Sequence, residues 1–340
     1  MKAAKKEKIF IVAEAGVNHN GSAELALKLS DAAKEAGADA VKFQTWQTEL
    51  VVTRTSRLAP YQANNLGRRN GSTQFKMLKN LELTYDEFRH LKHYCDQLGI
   101  MFLSTPDELT SAHFLRELQE IFKIGSGELT NLPFLREIAS FKKDVILSTG
   151  MGNMEEIELA LQTLLNGGLK RSQVTLLHAV SSYPAPYEEV NLSAIPKMKK
   201  KFRTKVGYSD HTLGISVALA AVALGACIIE KHFTLDRKMP GPDHKASIEP
   251  QELTALVTGI RQVEAALGNG TKGPSLSEQD NINLVRKSIV AARPINKGEL
   301  FSAENLTIKR PGTGLPPSEW DNIVGKRSPC DFREDEPIEL

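Results

Sequence analysis

From Ile9 onward, short runs of apolar residues alternate along the chain with longer segments whose apolar residues recur at helical spacing. The runs are mostly continuous rather than alternating with polar residues, which is typical of parallel strands buried on both faces of a sheet. An amphipathic segment follows each run, so the repeating unit is a strand and then a helix. The eight runs cover residues 9–16, 39–45, 100–106, 121–128, 144–150, 174–184, 205–208 and 227–229.

Eight strand–helix units within residues 9–268 predict an α/β fold, a closed (β/α)8 TIM barrel. A doubly wound open sheet is the alternative, because it is built from the same units. The turn after the first run reads AEAGVNHNG, and it lacks the G-x-G-x-x-G pattern of a dinucleotide-binding turn. We therefore prefer the barrel.

Other segments depart from this pattern. Residues 46–74 are polar and rich in Asn, Arg and Ser, and we predict a lid or substrate loop because structureless loops of this length are otherwise uncommon. Residues 269–284 have the composition of a linker. Residues 285–340 contain short β-type runs and tight turns, which predict a small β-rich domain. Such a domain is too short to bury a strong core alone, so we expect it to pack against something larger.

The composition is that of a soluble globular protein and excludes several function classes. Of the 340 residues, 41% are hydrophobic and 25% charged, and the net charge of +2 gives no reason to expect nucleic acid or a membrane surface as a partner. The basic N-terminus leads into an apolar run too short for a signal peptide or a membrane span. The three cysteines, Cys95, Cys227 and Cys330, are far apart and form no CxxC pattern, which argues against a disulfide framework or a cysteine zinc site. We expect a cytoplasmic protein.

Polar residues cluster where the predicted strands end. The active site of a (β/α)8 barrel lies at the carboxyl ends of its strands, so these residues are the candidates for function. They are Glu14, Lys42, Gln44, Ser104, Lys123, Ser126, Glu128, Ser148, Thr149, Tyr183, Ser209, His211 and His232.

His211 and His232 follow the last two predicted strands, so both imidazoles should emerge at the same end of the barrel. Two neutral imidazoles facing one cavity suit a divalent transition metal with open positions for water or substrate. The alternative is that both histidines are hydrogen-bonded parts of the fold. His19, His178 and His244 have weaker claims, and we expect structural roles for them.

Lys42 and Lys123, with the hydroxyls of Ser126 and Ser148 on glycine-containing turns, suit an anion that carries both a phosphate and a carboxylate. The alternative is that the lysines extend to solvent. Glu14 and Glu128 are the carboxylates available for proton transfer, by one of the two, or for binding sugar hydroxyls. The alternative is that either of them caps a turn.

Ten motifs, spread in order over nearly the whole chain, are similar to those of one known family. They are EAGVNHNG, VKFQ, FLSTP, FKIGSGE, LSTGM, YPAPYEEVNL, GYSDHT, EKHFTLD, GPDHKAS and KRPGTG. On these motifs the chain resembles the sialic acid (nonulosonic acid) synthase family. The segments FQT, GELTNLPFL and GPDHKASIEPQEL look closest to the bacterial N,N'-diacetyllegionaminic acid synthases, because the sialic acid branch more often shows HQT and GECNNYP.

The resemblance implies a transferase that forms a C–C bond between phosphoenolpyruvate and an N-acylated mannosamine-type aldose, giving a nonulosonic acid and phosphate. The aldose favoured by the branch is 2,4-diacetamido-2,4,6-trideoxymannose, and N-acetylmannosamine is the alternative. The resemblance also implies a divalent metal, Mn²⁺ or Mg²⁺. It divides the chain into a barrel (residues 1–268), a linker (269–284) and an antifreeze-like (SAF) domain (285–340) that crosses to the partner subunit of a homodimer.

The same resemblance assigns roles to residues at matching motif positions. Phosphoenolpyruvate would be held by Lys42, Lys123, Ser126, Ser148 and Thr149, and the metal by His211 and His232. Metal, water or sugar would be positioned by Glu14, Gln44, Glu128, Tyr183, Ser209 and Asp243, and Arg310 would reach the sugar in the partner subunit. Two other function classes remain open: a metal-dependent barrel aldolase or hydrolase, and a non-catalytic sugar-binding protein.

Overall fold

The computed structural model describes residues 8–66 and 73–340, and the chain divides into two compact units, residues 1–268 and 269–340. In the first unit, the described residues form an eight-stranded parallel sheet with the strand order β3-β2-β1-β8-β7-β6-β5-β4. β3 and β4, at the two ends of this order, also lie side by side, so the sheet curves into a nearly closed barrel. The strands are β1 (Phe10–Gly16), β2 (Ala40–Thr45), β3 (Met101–Pro106), β4 (Ile121–Ile124), β5 (Asp144–Ser148), β6 (Val174–Ala179), β7 (Lys205–Asp210) and β8 (Ile228–His232). The predicted TIM barrel is confirmed.

Helices follow the strands and cover the outside of the barrel. The α-helices of the first unit are α1 (Ala23–Glu35), α2 (Thr48–Val51), α3 (Pro60–Asn65), α4 (Gln74–Leu81), α5 (Tyr85–Leu98), α6 (Leu109–Leu115), α7 (Leu132–Ser140), α8 (Met154–Asn166), α9 (Ala194–Phe202), α10 (Ser216–Ala223) and α11 (Pro250–Ala266). No helix in the described parts of the chain is long and apolar enough to cross a membrane.

Local sequence explains where the helices begin and end. Thr84 and Glu87 form a reciprocal capping box at the start of α5, and Gly99 ends that helix in a left-handed conformation with φ of 71°. The structure also shows helices that the sequence pattern did not predict. The polar insertion at 46–74 contains α2 and α3 and leads into α4, so its described part is not a structureless loop; residues 67–72 lie outside the described residues. α9 was also missed.

Two apolar layers lie on the two sides of the barrel wall, since successive residues of a strand point to opposite faces. Six buried residues, each from a different strand, fill the barrel interior: Val12, Ala40, Leu103, Ile146, Leu177 and Ile228. The larger layer packs the outer faces of the strands against the helices. Burial on both faces is the physical reason that the strands appear as continuous apolar runs.

Several strand ends differ from the prediction. β7 and β8 extend to Asp210 and His232, so the polar clusters predicted to follow them lie largely on the strands. β4 ends at Ile124, and the following Ser126–Glu128 forms a 3-10 turn. β6 ends at Ala179, which leaves Tyr183 in the loop beyond it.

The second unit begins in the predicted linker, which contains all but the last residue of α12 (Gln279–Val285), and it also contains α13 (Trp320–Ile323). Its two strands in the described residues, β9 (Ser288–Ala291) and β10 (Leu306–Lys309), pair antiparallel. Its own small core consists of Ile289, Ala291, Ile295, Phe301, Leu306, Ile323, Phe332 and Ile338.

Candidate active site

The candidate site lies at the carboxyl end of the barrel, above the apolar interior layer. Strand alternation puts a polar residue two positions after an interior apolar residue, as Glu14 follows Val12 on β1 and Glu230 follows Ile228 on β8. The parallel ladders then set these polar residues side by side. Glu14 is the register partner of Lys42 on β2 and of His232 on β8.

Two lysines and two glutamates form a buried charged cluster in this layer. Lys42 Nζ lies 2.5 Å from Glu14 Oε2 and 3.8 Å from Glu230 Oε2, and Lys123 Nζ lies 3.4 Å from Glu230 Oε1. Each of the four side chains is at most 5% exposed. The predicted alternative, in which the lysines extend to solvent, is therefore wrong.

Burial and ion pairing shift the pKa values of these groups in opposite directions. Burial opposes ionisation of Glu230, but the ammonium groups of Lys123 and Lys42 outweigh it and lower the pKa of Glu230 to about 2. Burial lowers the pKa of Lys42, but Glu14 and Glu230 reverse this and raise it. Burial lowers the pKa of Lys123, and Glu230 only partly offsets that effect. Burial also raises the pKa of Glu14 despite its lysine partner.

The two histidines lie side by side at the same end of the barrel. Their ring centroids are 5.5 Å apart, and the Tyr183 ring lies 4.2 Å from His211 and 5.6 Å from His232. His211 Nδ1 lies 2.6 Å from the carbonyl oxygen of Val180, so Nδ1 carries the proton and donates it, and the lone pair is on Nε2, which lies 3.3 Å from Ser209 Oγ. Burial lowers the pKa of both imidazoles, so both are neutral.

The neutral imidazoles fit a divalent metal. The buried Nδ1 of His232 has no hydrogen-bond partner in the described residues and lies 3.8 Å from Asp243 Oδ2. An orphaned buried nitrogen beside a second imidazole is a donor set that suits a transition metal. The described residues contain no cluster of three or more metal-ligating side chains, so the remaining positions would fall to water or substrate.

The hydroxyl side of the site is formed by the loops after β4 and β5. Ser126 Oγ accepts a hydrogen bond of 3.0 Å from the backbone N–H of Gly150, and buried Ser148 ends β5. A Cβ at Gly150 would lie 2.4 Å from Ser181 Oγ and 2.8 Å from Ser126 Oγ, so a side chain at this position would displace the serine hydroxyls. The Thr149 hydroxyl donates to the carbonyl oxygen of Leu177, which commits its proton within the protein.

Four further predicted residues lie around this centre. Gln44 Nε2 donates to Glu14 Oε1 over 3.0 Å, and Ser209 Oγ donates to Glu230 Oε1 over 2.7 Å. Glu128 accepts from Asn131, and burial raises its pKa. Burial, with a contribution from Glu14, raises the pKa of Asp243 to about 7.

Other sequence candidates lie elsewhere. Ser104 contacts Thr45 on the outer face of the barrel wall, and the strand-three hydroxyl in the site is that of Thr105, which accepts from Lys42 Nζ over 3.1 Å. The Nδ1 of His19 accepts from the Gly21 N–H.

The other two histidines with weaker claims, His178 and His244, are held by the fold. His178 lies on the outer face of the wall, where Nε2 is 2.6 Å from the carbonyl oxygen of Val190. His244 contacts Thr234 and Asn20. Arg310 is an exposed residue of the second unit.

Sequence reasoning missed Glu230, Thr105 and Asp107. Alternation from His232 would have placed Glu230 on the same face, two positions earlier. Burial raises the pKa of Asp107 to about 7, and the charges that act on it next are those of Lys42 and Glu128. The signal for Asp107 was its position directly after the third strand.

Comparison with known proteins agrees with this geometry. A sequence profile described as the NeuB family matches residues 29–272, and one described as the SAF domain matches residues 286–340. The N,N'-diacetyllegionaminic acid synthase of Campylobacter jejuni is 51% identical, with 98% of this chain and 99% of that protein covered. The enzyme of the same name from Legionella pneumophila is 49% identical, over 94% of this chain and 90% of that protein.

A solved structure agrees as well. The crystal structure of an N-acetylneuraminic acid synthetase from Leptospira borgpetersenii in complex with citrate superposes with a TM-score of 0.71 at 38% identity. The match covers 81% of this chain and 90% of that one.

Proposed function

The chain belongs to the NeuB family, and from this premise we propose that it condenses phosphoenolpyruvate with an N-acylated mannosamine-type aldose and water. The products are a nonulosonic acid of the legionaminic type and inorganic phosphate. The observation that carries the proposal is the pair of buried lysines beside two neutral imidazoles at one end of the barrel. We favour 2,4-diacetamido-2,4,6-trideoxymannose as the aldose, because relatives 51% and 49% identical are named N,N'-diacetyllegionaminic acid synthases.

Lys42 and Lys123 are proposed to bind phosphoenolpyruvate, with Ser126, Ser148 and Thr149 around the anion. Each lysine has a carboxylate partner, so the anion enters a cluster whose charges are balanced and fixed in place. Fixed charges stabilise the leaving phosphate without reorganisation during the reaction. The backbone N–H and the hydroxyl of Thr149 both donate to the carbonyl oxygen of Leu177, so we propose that Thr149 holds the turn beside the anion in place.

His211 and His232 would hold a divalent cation, Mn²⁺ or Mg²⁺. Such a cation, when bound, supplies Lewis-acid polarisation of the aldehyde oxygen of the open-chain sugar. Gln44, Tyr183, Ser209 and Asp243 are proposed to position sugar or water around it. The hydrogen bond from His211 to the Val180 carbonyl fixes the tautomer and the orientation of that ring.

The reaction requires one new C–C bond and the loss of phosphate. C3 of phosphoenolpyruvate attacks C1 of the aldehyde, whose oxygen takes up a proton. Water then adds to C2 and loses a proton, and the tetrahedral species expels phosphate by cleavage of the C2–O bond to leave the ketone. Burial raises the pKa of Glu14, Glu128 and Asp243, to about 7 for Asp243, and we propose these carboxyl groups as the candidates for proton exchange with the substrates.

N-acetylmannosamine is the second candidate aldose, because the matching Leptospira structure is that of an N-acetylneuraminic acid synthetase. An aldolase or hydrolase needs no second buried lysine, and a passive sugar-binding protein needs no such charged cluster. We also propose a cytoplasmic location, where phosphoenolpyruvate is made and where free cysteines such as Cys95, Cys227 and Cys330 stay reduced.

We further propose a homodimer in which the SAF domain of one subunit reaches the barrel of the other, with Arg310 as the sugar contact. Arg310 is exposed and lies directly before Pro311 and Gly312, whose N–H donates to the carbonyl oxygen of Asn283. A guanidinium on such a restrained segment suits bidentate recognition of a sugar amide or hydroxyl pair. Exposed Leu276 and Leu284 near α12 are consistent with a partner surface.

The test is release of phosphate from phosphoenolpyruvate, measured with each aldose and with and without EDTA. We expect release that depends on sugar and metal, with a higher kcat/KM for the diacetamido sugar than for N-acetylmannosamine. His211→Ala and His232→Ala should abolish metal-dependent turnover while the circular dichroism spectrum stays unchanged. Full activity of EDTA-stripped protein would reject the metal role, and phosphate release without any aldose would reject the condensation.

A further inference from the structure

A buried ion pair joins β7 to β8 behind the two imidazoles. Asp210 and Lys231 are register partners, and Lys231 Nζ donates to Asp210 Oδ2 over 2.7 Å. Both side chains are at most 1% exposed. Ser209 and Glu230, one position earlier on each strand, contact each other on the cavity side, so the ion pair lies on the opposite, helix-facing side of the wall.

The same pair fixes the chain on both sides of His211. Asp210 Oδ1 accepts hydrogen bonds from the backbone N–H and the hydroxyl of Thr212, at 2.9 and 2.8 Å, and from the Tyr208 hydroxyl at 3.2 Å. Lys231 Nζ also donates to the Thr212 carbonyl oxygen over 2.7 Å. His211 therefore lies between two residues of this network, and His232 directly follows a third.

Stability alone is a weak reason for such an arrangement. Desolvation of two buried charges offsets much of their attraction, and apolar residues of similar size often serve stability equally well. The network instead controls the position of His211 relative to His232. The pair is the last register pair of β7 with β8, and a slip between the strands there would move His211 relative to His232.

We propose that Asp210 and Lys231 are positioning residues, which set the separation and orientation of the two imidazoles and thereby the affinity of the site for a divalent cation. The inference rests on the proposed function, in particular on cation binding by His211 and His232. It assigns no contact with substrate to either residue.

The test measures Mn²⁺ binding to the EDTA-stripped, full-length protein without substrates, by electron paramagnetic resonance. The variant Asp210→Asn/Lys231→Met removes both charges together, so no unpaired charge stays buried. Residues that orient metal ligands typically contribute about ten- to a hundredfold to metal affinity, and we expect a loss of that size. Phosphoenolpyruvate binding, measured by calorimetry, should change little because the lysines of the anion site are untouched.

Two controls separate positioning from general loosening of the barrel. Asp39 and Arg261 form an ion pair of 2.7 Å at the opposite end of the barrel, and Asp39→Asn/Arg261→Met should leave Mn²⁺ affinity unchanged. Lys231→Arg keeps the charge and should keep most of the affinity. If the charge variant does not fold, Tyr208→Phe and Thr212→Val each remove one hydrogen bond to Asp210, and each should weaken Mn²⁺ binding about two- to tenfold.

The outcomes are distinct. Wild-type Mn²⁺ affinity in the folded double variant, or in both Tyr208→Phe and Thr212→Val, overturns the positioning role. An equal loss in the Asp39→Asn/Arg261→Met control also overturns it, because the effect would then be general. If the wild-type protein binds no Mn²⁺, or binds it equally well after His211→Ala and His232→Ala, the proposed metal role itself fails and the positioning role with it.

Discussion

Each buried lysine of the candidate active site has a carboxylate partner within the protein, so its charge is compensated inside the barrel wall. Glu14 forms an ion pair with Lys42, and Glu230 lies within 4 Å of both Lys42 and Lys123. Removing one lysine therefore has two effects. The anion loses a contact, and a carboxylate that stays buried loses its partner. A compensated double variant separates these effects.

We expect Lys123→Met to raise the KM for phosphoenolpyruvate roughly ten- to a hundredfold. The substitution removes a charge-assisted contact worth about 1.5–3 kcal/mol. It should also lower the melting temperature, since Glu230 loses a partner. Adding Glu230→Gln should restore the melting temperature and leave the KM high. Steady-state kinetics and thermal denaturation check both effects. Recovery of the phosphoenolpyruvate KM in the double variant would mean that Lys123 only neutralises Glu230.

At the scale of elements, the parallel ladders decide which strand ends meet. The shared register of β1 with β2 and β8 brings Glu14, Lys42 and His232 together from distant parts of the sequence. The ladders also require close approach of the strands. On β7, a Cβ at Gly207 would lie 2.6 Å from the carbonyl oxygen of Ile228 on β8 and 2.6 Å from Leu177 Cδ2 on β6.

Gly207→Ala should therefore destabilise the barrel by about 1–3 kcal/mol, because an extra methyl group is forced against a strand backbone. Urea denaturation followed by circular dichroism measures the free energy of unfolding. Gly273→Ala is the matched control, since an added Cβ there meets no atom within 4 Å. An equal free energy of unfolding for the two variants would show that β7 and β8 can move apart at this point without loss of stability.

At the scale of the whole molecule, the chain consists of two compact units, each with its own apolar core. The barrel unit contains the buried lysines and imidazoles, and Arg310 belongs to the other unit. The proposed homodimer assigns one site to residues of two subunits. This division of the site can be tested by complementation.

Arg310→Ala should raise the KM for the sugar far more than the KM for phosphoenolpyruvate. Arg310→Ala subunits mixed with His211→Ala subunits should regain activity, because a mixed dimer then has one complete site. Lys309→Ala is the neighbouring control and should retain activity, since Lys309 pairs with Asp335. No recovery in verified mixed dimers would contradict a site shared between subunits.

The sequence by itself determined the barrel and most of its strand-end residues. Continuous apolar runs followed by amphipathic helices are a local consequence of burial on both faces, so they can be read without coordinates. The family assignment followed from motifs along the whole chain and is confirmed by the profile matches. The roles of His211, His232 and the other site residues stay predictions.

Only the tertiary structure decided which polar residues share the cavity. Ser104 and Thr105 are adjacent in sequence, yet alternation turns Thr105 towards Lys42 and Ser104 to the outer face, and a shift of one residue in a predicted strand exchanges them. The pairing of Lys123 with Glu230, and of Asp210 with Lys231, joins residues of different strands. Such contacts depend on register between strands, which no local pattern encodes.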